Sequence, residues 1–284
     1  MPSIAGSVKI KSKKWINGRN FVVSGASSGI GRLLTEKLID CGCTVTGIGR
    51  SEKKFDDFKL SLGGKSANLN VEIFDVTEER EWEALAKRLE EKYGKIDGVI
   101  NCAGIFPPFK KTVACTSEET ESVIKTNFLS AVYSINNLFS LIERSDSPAI
   151  VNVSSASALA TIVGTAGDSA SKSALKSYTE VLAEELRGKV YVGLVMPGFA
   201  RTDIFRMQNT KFDENKLLYL ASMSAEKMSA KIFRGILKKK RKMIIGKDAK
   251  AMNFFFRLMP KTTSRIVSKI LKKSKMRLFD DIFN

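Results

Sequence analysis

Apolar positions along this chain follow two alternating rhythms. Runs such as Phe21-Val22-Val23, Gly98-Val99-Ile100 and Ile150-Val151-Asn152-Val153 are apolar without polar alternation. That is the pattern of strands covered on both faces of a parallel sheet. Between such runs, apolar residues recur at helical spacing, as in Ile30-Leu33-Leu34-Leu38. The pattern predicts strands near 20–25, 43–49, 68–75, 97–101, 148–154, 189–196 and 242–246. It predicts helices near 29–41, 52–62, 78–93, 117–144, 165–187 and 225–240. Regular β–α alternation of this kind implies one α/β domain. Its form is a Rossmann-type, doubly wound parallel sheet of about seven strands, a three-layer α/β/α sandwich with right-handed crossovers. Ligands on such sheets bind beyond the carboxyl ends of the strands, so the residues just after each strand are the informative ones.

After the first strand comes Ser24-Gly25-Ala26-Ser27-Ser28-Gly29-Ile30-Gly31. Strand, glycine turn and helix bring free backbone N–H groups and a positive helix end to one point, an anion site. Three glycines alone would equally suit an ordinary tight β–α turn. After the second strand stands Gly49-Arg50-Ser51. An acidic residue there would pair with a ribose 2′-hydroxyl, whereas Arg50, with Ser51 as a second donor, suits a 2′-phosphate. The alternative is a solvated arginine opening a helix. Asp75-Val76 follows the third strand and is able to meet an adenine edge. The small residues of Asn101-Cys102-Ala103-Gly104 after the fourth admit a ribose. Asn127 lies mid-helix in an apolar stretch, and a buried amide there needs partners. Ser154-Ser155 and then Asp168-Ser169-Ala170-Ser171-Lys172 follow the fifth strand, and Pro197-Gly198-Phe199-Ala200-Arg201-Thr202 the sixth.

Composition narrows the chemistry. With 284 residues, 43% of them hydrophobic, the chain buries one large core. It has no histidine, which excludes Ser-His-Asp and Cys-His catalysis and histidine-ligated metal, and no metal site is expected. Cys41, Cys43, Cys102 and Cys115 lack C-x-x-C spacing and read as reduced packing thiols. There is neither a long apolar run nor the apolar core of a secretory signal, so the expected location is cytoplasmic. The net charge of +17 is uneven: residues 231–284 hold 17 Lys and Arg against 3 Asp and Glu.

In that basic tail Met252, Phe254, Phe255, Phe256, Leu258 and Met259 crowd one segment, and Pro260 breaks it. A second segment sets Ile266, Val267, Ile270 and Leu271 on one face, with Arg265, Lys269, Lys272 and Lys273 around it. This basic amphipathic pattern suits peripheral contact with an anionic membrane surface, a lid over a lipid substrate, or oligomer packing. No nucleic-acid reading module is present, so only non-specific phosphate attraction would draw nucleic acid.

Taken in order, these strand-end motifs resemble the short-chain dehydrogenase/reductase superfamily over residues 18–247, with 248–284 as a basic helical C-terminal extension. The glycine turn matches T-G-x-x-x-G-x-G with Ser24 for Thr, and Asn101-Cys102-Ala103-Gly104 matches N-N-A-G. The helix asparagine is Asn127, the catalytic serine Ser155, the active-site lysine Lys172; Pro197, Gly198 and Thr202 match P-G-x-x-x-T. The resemblance implies an oxidoreductase that binds NADP(H) through Gly25, Ser27, Ser28, Gly29, Ile30, Gly31, Arg50, Ser51, Asp75, Val76, Asn101, Ala103, Gly104, Lys172, Pro197, Gly198 and Thr202. It also implies a homo-oligomer, dimer or tetramer, built on helices 117–144 and 165–187.

One position departs from the pattern. The family's tyrosine stands thirteen residues after the serine, and here that position is Asp168. Tyr178 is out of phase with Lys172 on the same helix and is no substitute. Aspartate has an unperturbed pKa of about 3.9, and a nearby lysine is expected to favour its anion further. An anion has no proton to donate to a ketone. Three readings stay open with Asn127, Ser155, Asp168 and Lys172 as the catalytic set: reduction of a cationic imine, a reductase whose tyrosine has been substituted, or NADP(H) binding without redox turnover. The loop Phe199 to Ala225, with Ile204, Phe205, Met207, Leu217, Leu218 and Met223, is expected to line a pocket for a small hydrophobic substrate.

Overall fold

In the computed structural model, residues 15–201, 222–273 and 279–283 are described. Seven strands run parallel in one sheet in the order β3-β2-β1-β4-β5-β6-β9. They are β1 (Asn20–Ser24), β2 (Thr44–Gly49), β3 (Leu69–Ile73), β4 (Gly98–Asn101), β5 (Ala149–Val153), β6 (Tyr191–Pro197) and β9 (Lys242–Ile245). A two-residue parallel ladder, β7 (Ala200–Arg201) with β8 (Met223–Ser224), lies outside the sheet.

Successive side chains of each strand point to opposite faces, and apolar residues serve both. Phe21 and Val23 enter a core built with Leu34 and Leu38 of α1 (Gly29–Ile39), Phe55 and Phe58 of α2 (Glu52–Leu62), and Ile232 and Ile236 of the later helix Ala225–Leu237. Val22 between them enters the opposite core. That core holds Trp82, Leu85 and Leu89 of α3 (Glu79–Tyr93) and Leu138 and Leu141 of α5 (Ser130–Ile142). The unalternated apolar strands are thus explained by two covered faces.

The predicted helix 117–144 proves to be two. Here α4 (Ser117–Ile124), opened by a Thr116–Glu119 capping box, is separated from α5 by a wide π turn, Lys125–Leu129. Asn127 sits in that turn, and such π insertions frequently mark functional sites. The helix predicted at 165–187 is α6 (Ala166–Glu185), and the one at 225–240 is α7 (Ala225–Leu237). Beyond β9 come α8 (Lys247–Leu258), α9 (Pro260–Lys273) and α10 (Asp280–Phe283).

Between β4 and β5 a polar chain runs through the otherwise apolar interior. Asn101 is in register with Asn152, and its Nδ2 donates to Asn152 Oδ1 at 2.8 Å. Ser134 Oγ of α5 donates to Asn101 Oδ1 at 2.6 Å, and Asn152 Nδ2 donates to Thr179 Oγ1 of α6 at 2.9 Å. Every amide is satisfied, which is what buried polar groups require. Asn152→Ala orphans Asn101 Nδ2 and breaks the link to Thr179. It is expected to cost about 1–3 kcal/mol for each polar group left unpaired, read as a lower urea midpoint.

Candidate active site

At the end of β1 the chain turns sharply, with Gly25 at φ 71° and Gly29 at φ 53°. A Cβ on Gly25 would lie 2.9 Å from the backbone of Ala103, and one on Gly31 would run into the Gly25 carbonyl. Ser24 Oγ ties the two turns together by accepting from the N–H groups of Cys102 and Ala103 at 3.1 and 3.2 Å. Ser28, the N-cap of α1, makes no side-chain capping bond, and no acid occupies the first turn. Helices α2, α4 and α7 are capped by Ser51, Thr116 and Ser224. The first-turn N–H groups of α1 therefore point to the turn containing Ser27, Ser28 and Ile30 without a side-chain acceptor, a fit for a phosphate.

Arg50 and Asp75 face each other beyond β2 and β3 at 3.4 Å. Burial pushes the Asp75 carboxyl up, but bonds from Thr77 and the charge of Arg50 outweigh it and hold it below the usual range. Ser51 accepts from Lys54 N at 3.3 Å, a bond that leaves its hydroxyl proton available. Val76 is buried, and its carbonyl accepts from Trp82 Nε1.

The predicted catalytic residues converge at the ends of β4 and β5. Asn127 Oδ1 accepts from Ile105 N at 2.8 Å, while its Nδ2 donates to Ile105 O at 3.0 Å and Ser171 Oγ at 3.1 Å and points at Asp168 Oδ1 at 3.5 Å. Asp168 Oδ2 accepts from Ser157 Oγ at 2.8 Å. Lys172 Nζ donates to the carbonyl of Val153 at 3.1 Å. Gly104 admits both neighbours: a Cβ there would lie 3.1 Å from Asn127 Oδ1 and 3.3 Å from Lys172 Nζ. Ser155, half-buried, accepts from Ser157 N at 3.1 Å.

Burial dominates the electrostatics. Asp168 is only 3% exposed, and its carboxyl is raised from the usual value by desolvation, against the opposing effects of Lys172 and Ser157. Lysine was expected to favour the anion; its pull is real but smaller than desolvation, because no oxygen of Asp168 forms an ion pair with it. Desolvation likewise lowers Lys172, with Asp168 and Cys102 opposing. The Cys102 thiol is pushed up to about 11 by burial, which leaves it unreactive.

Asn101 and Thr202 require comment. The Asn101 amide is committed to Asn152 and Ser134, so its side chain supports the site from beneath rather than facing it. Thr202 lies outside the described residues, as do Ile204, Phe205, Met207, Leu217 and Leu218 of the expected pocket loop. Residues the sequence did not single out complete the site. Ser157 and Ser171 hold Asp168 and Asn127; Ser171 lies i+3 from Asp168, a helical spacing that placed it on the same face. Asp248 accepts from Phe199 N at 2.6 Å, and its carboxylate so crowds Gly198 that a Cβ there would collide with it. No local pattern links residues so far apart in the chain.

A model of the short chain dehydrogenase family matches residues 19–213, most of the sheet and both halves of this site. The chain belongs to that family. An uncharacterized oxidoreductase of Staphylococcus saprophyticus is 33% identical over 185 residues, 64% of this chain and 79% of its own. The 3-oxoacyl-(acyl-carrier-protein) reductase of Haemophilus influenzae is 27% identical over 220 residues, 75% of this chain and 86% of its own. A short-chain dehydrogenase from Shigella flexneri, solved in complex with NADP, superposes with a TM-score of 0.72 at 22% identity, covering 81% of this chain and 96% of that one. As a short-chain dehydrogenase, the protein is an oxidoreductase of a family that uses nicotinamide cofactors.

The buried carboxyl of this short-chain dehydrogenase has a consequence for stability. Its pKa is raised in the fold, so its contribution is fully present below the unfolded carboxylate value and is lost as pH rises through the folded one. Lys172, lowered by burial, contributes in the opposite sense and favours the fold above its unfolded value. Asp168→Asn keeps the Ser157 bond and removes only the carboxylate's slope. Thermal unfolding should show the variant gaining on wild type as pH rises above the unfolded carboxylate value, by roughly 2–4 °C in Tm for each kcal/mol. Parallel curves would mean that Asp168 titrates as an ordinary carboxyl.

Proposed function

We propose that this short-chain dehydrogenase is NADP(H)-dependent and acts by hydride transfer on a hydrophobic substrate carrying a cationic C=N bond, with Asp168 at the position the family gives to tyrosine. The observation that carries this reading is a buried carboxylate with no cation in ion-pair contact among the described residues. Asp168 is held by a serine hydroxyl and the edge of an amide, and Lys172 spends its bond on Val153 O. Desolvation holds this carboxyl toward its neutral form, and an arriving cation would supply the counter-charge that stabilises its anion. A neutral ketone brings no positive charge to draw the carboxylate form, and that form, once present, repels a developing alkoxide.

The residues present fit the dinucleotide. The uncapped α1 terminus would take the diphosphate, Arg50 and Ser51 the 2′-phosphate, Asp75 the adenine edge, and Lys172 with the Ala103–Gly104 turn the ribose. When bound, NADPH supplies a hydride equivalent. Reduction of an iminium carbon moves the π pair onto nitrogen and leaves a neutral amine, so the protein need not donate a proton. Asp168 stabilises the positive charge before transfer, Ser155 orients the substrate end, and Asn127 fixes the distance between Asp168 and the Ile105 backbone.

A second reading, cofactor binding without turnover, is favoured by how deeply Asp168 is withdrawn. Turnover separates the two. With NADPH, cyclic imines should be reduced and simple ketones should not, and Asp168→Asn should lower imine reduction by about 10²-fold. Asp168→Tyr should shift activity toward ketones; a large gain there with no imine activity in the wild type would instead identify a disabled ketone reductase. Binding without any turnover would leave the silent reading. Arg50→Ala should weaken NADPH about 10- to 100-fold while leaving NADH unchanged in a fluorescence titration, the worth of a charged hydrogen bond.

A further inference from the structure

Helix α8 is anchored by fully buried Ala249. At 3.6 residues per turn, Ala251, Phe254, Phe255 and Leu258 lie on the arc opposite that anchor. Phe254 is 59% exposed and Leu258 63%, and the rings of Phe254 and Phe255 meet edge to face with centroids 5.5 Å apart. This apolar face points away from the body of the protein. In α9 the apolar residues divide between two faces. Val267 and Leu271 turn inward, Leu271 joining Phe106, Phe109 and Ile162, while Ile266 and Ile270 remain exposed beside Lys269 and Lys273. The single apolar face expected from the sequence is thus two: one covers the loop after Ser155, where Thr161 Oγ1 also meets Ser264 Oγ at 3.1 Å, and one is free.

Charge adjoins the free face. A cleft of about 330 Å³ runs between α7, β9 and the start of α8, lined by Lys231, Arg234, Lys238, Lys240, Lys242 and, from α8 itself, Lys247 and Lys250, with no acid among them. Lys242 pairs with Glu180 at 3.0 Å; among the described residues the others of the cleft have no acidic partner. Arg257, Lys261, Arg265, Lys269 and Lys272 carry the same sign along α8 and α9. Helix α8 therefore belongs to both surfaces, its N-terminal cations in the cleft and its aromatic side chains on the exposed arc.

We propose that α8, α9 and the adjoining cleft form a docking surface for an anionic lipid bilayer. Exposed Phe, Leu and Ile side chains enter the headgroup region, and the surrounding cations meet lipid phosphates. Among the described residues no helix is long and apolar enough to cross a membrane, so the helices lie on the surface. A second copy of the chain is the poorer occupant. A two-fold contact would set the same cation-rich patch against itself, where like charges cost several kcal/mol. The bilayer supplies the opposite sign. Its docking places the substrate-side loop, which α9 covers from its other face, at the lipid surface.

Co-sedimentation of the full chain with vesicles tests this without cofactor or turnover, so the outcome is independent of the redox reading. On vesicles containing about one-third phosphatidylglycerol, partitioning should exceed that on pure phosphatidylcholine at least tenfold and fall with salt. The quadruple variant Lys231→Glu, Lys238→Glu, Lys247→Glu and Lys250→Glu should drop to the phosphatidylcholine level. Phe254→Ser with Leu258→Ser should lose at least fivefold on the anionic vesicles, while both variants keep the wild-type circular dichroism and unfolding midpoint. Equal partitioning on the two vesicle types overturns the proposal. So does a salt-sensitive association that the serine pair leaves untouched, which would mark simple polyanion attraction. A dimer in sedimentation velocity that the serine pair abolishes would overturn it in favour of a second copy.

Discussion

One amide-to-amide bond organises the functional end of this molecule. Asn101 and Asn152 sit opposite each other in neighbouring parallel strands, and their bond locks β4 to β5 at the level where both strands end. Parallel pairing in an apolar interior tolerates slippage poorly once a polar group must find its partner, because a misplaced amide stays unsatisfied. The same network reaches helix α5 through Ser134 and helix α6 through Thr179. Thr179 is two turns from Lys172 along α6, so fixing it fixes where the lysine and Asp168 emerge. The strands thus locate the helices, and the helices locate the chemistry.

What the site can do follows from how deeply its ionisable groups are buried. Asp168 and Lys172 both lie inside a shell of backbone and small side chains, and burial moves each toward its neutral form. Their pull on one another resists this without abolishing it. Such a pair is poised: an incoming charge of either sign would shift both protonation states, which gives the site a sensitivity to substrate charge that a solvated pair would lack. Asn127 is the rigid member. Its Nδ2 donates to Ile105 O and Ser171 Oγ while its Oδ1 accepts from Ile105 N, and the π turn beneath it leaves the surrounding helix ladder interrupted where the side chain must reach inward.

Much of this was readable from the residues alone. The seven strands fall near the predicted segments; in β4 and β5 two covered faces demand unalternated apolar residues, whereas β3 at the sheet edge alternates as Leu69-Asn70-Val71-Glu72-Ile73. Asn127 announced itself as an amide in an apolar stretch, and the structure supplies its partners. Other features rest on information no window of sequence carries. Asn101 looked like a cofactor contact because it follows a strand, but its destination was decided by Asn152 in another strand. The π turn has no compositional mark distinguishing it from the continuous helix expected. Ile270 and Leu271 are equally apolar, and only the position of Phe109 and Ile162 decides which turns inward. The Asp168 shift has a related cause: attraction to lysine acts as the spacing implies, whereas the larger effect, desolvation, depends on everything packed around the carboxyl.

Asp248 shows how the basic extension is joined to the rest. It belongs to the first turn of α8, yet its carboxylate receives the Phe199 N–H and rests on Gly198. Cleavage of the chain just before it would leave that N–H unsatisfied and uncover the glycine. The C-terminal segment is therefore a clasp rather than an appendage, and a protease that clipped it would disarm the turn from a distance.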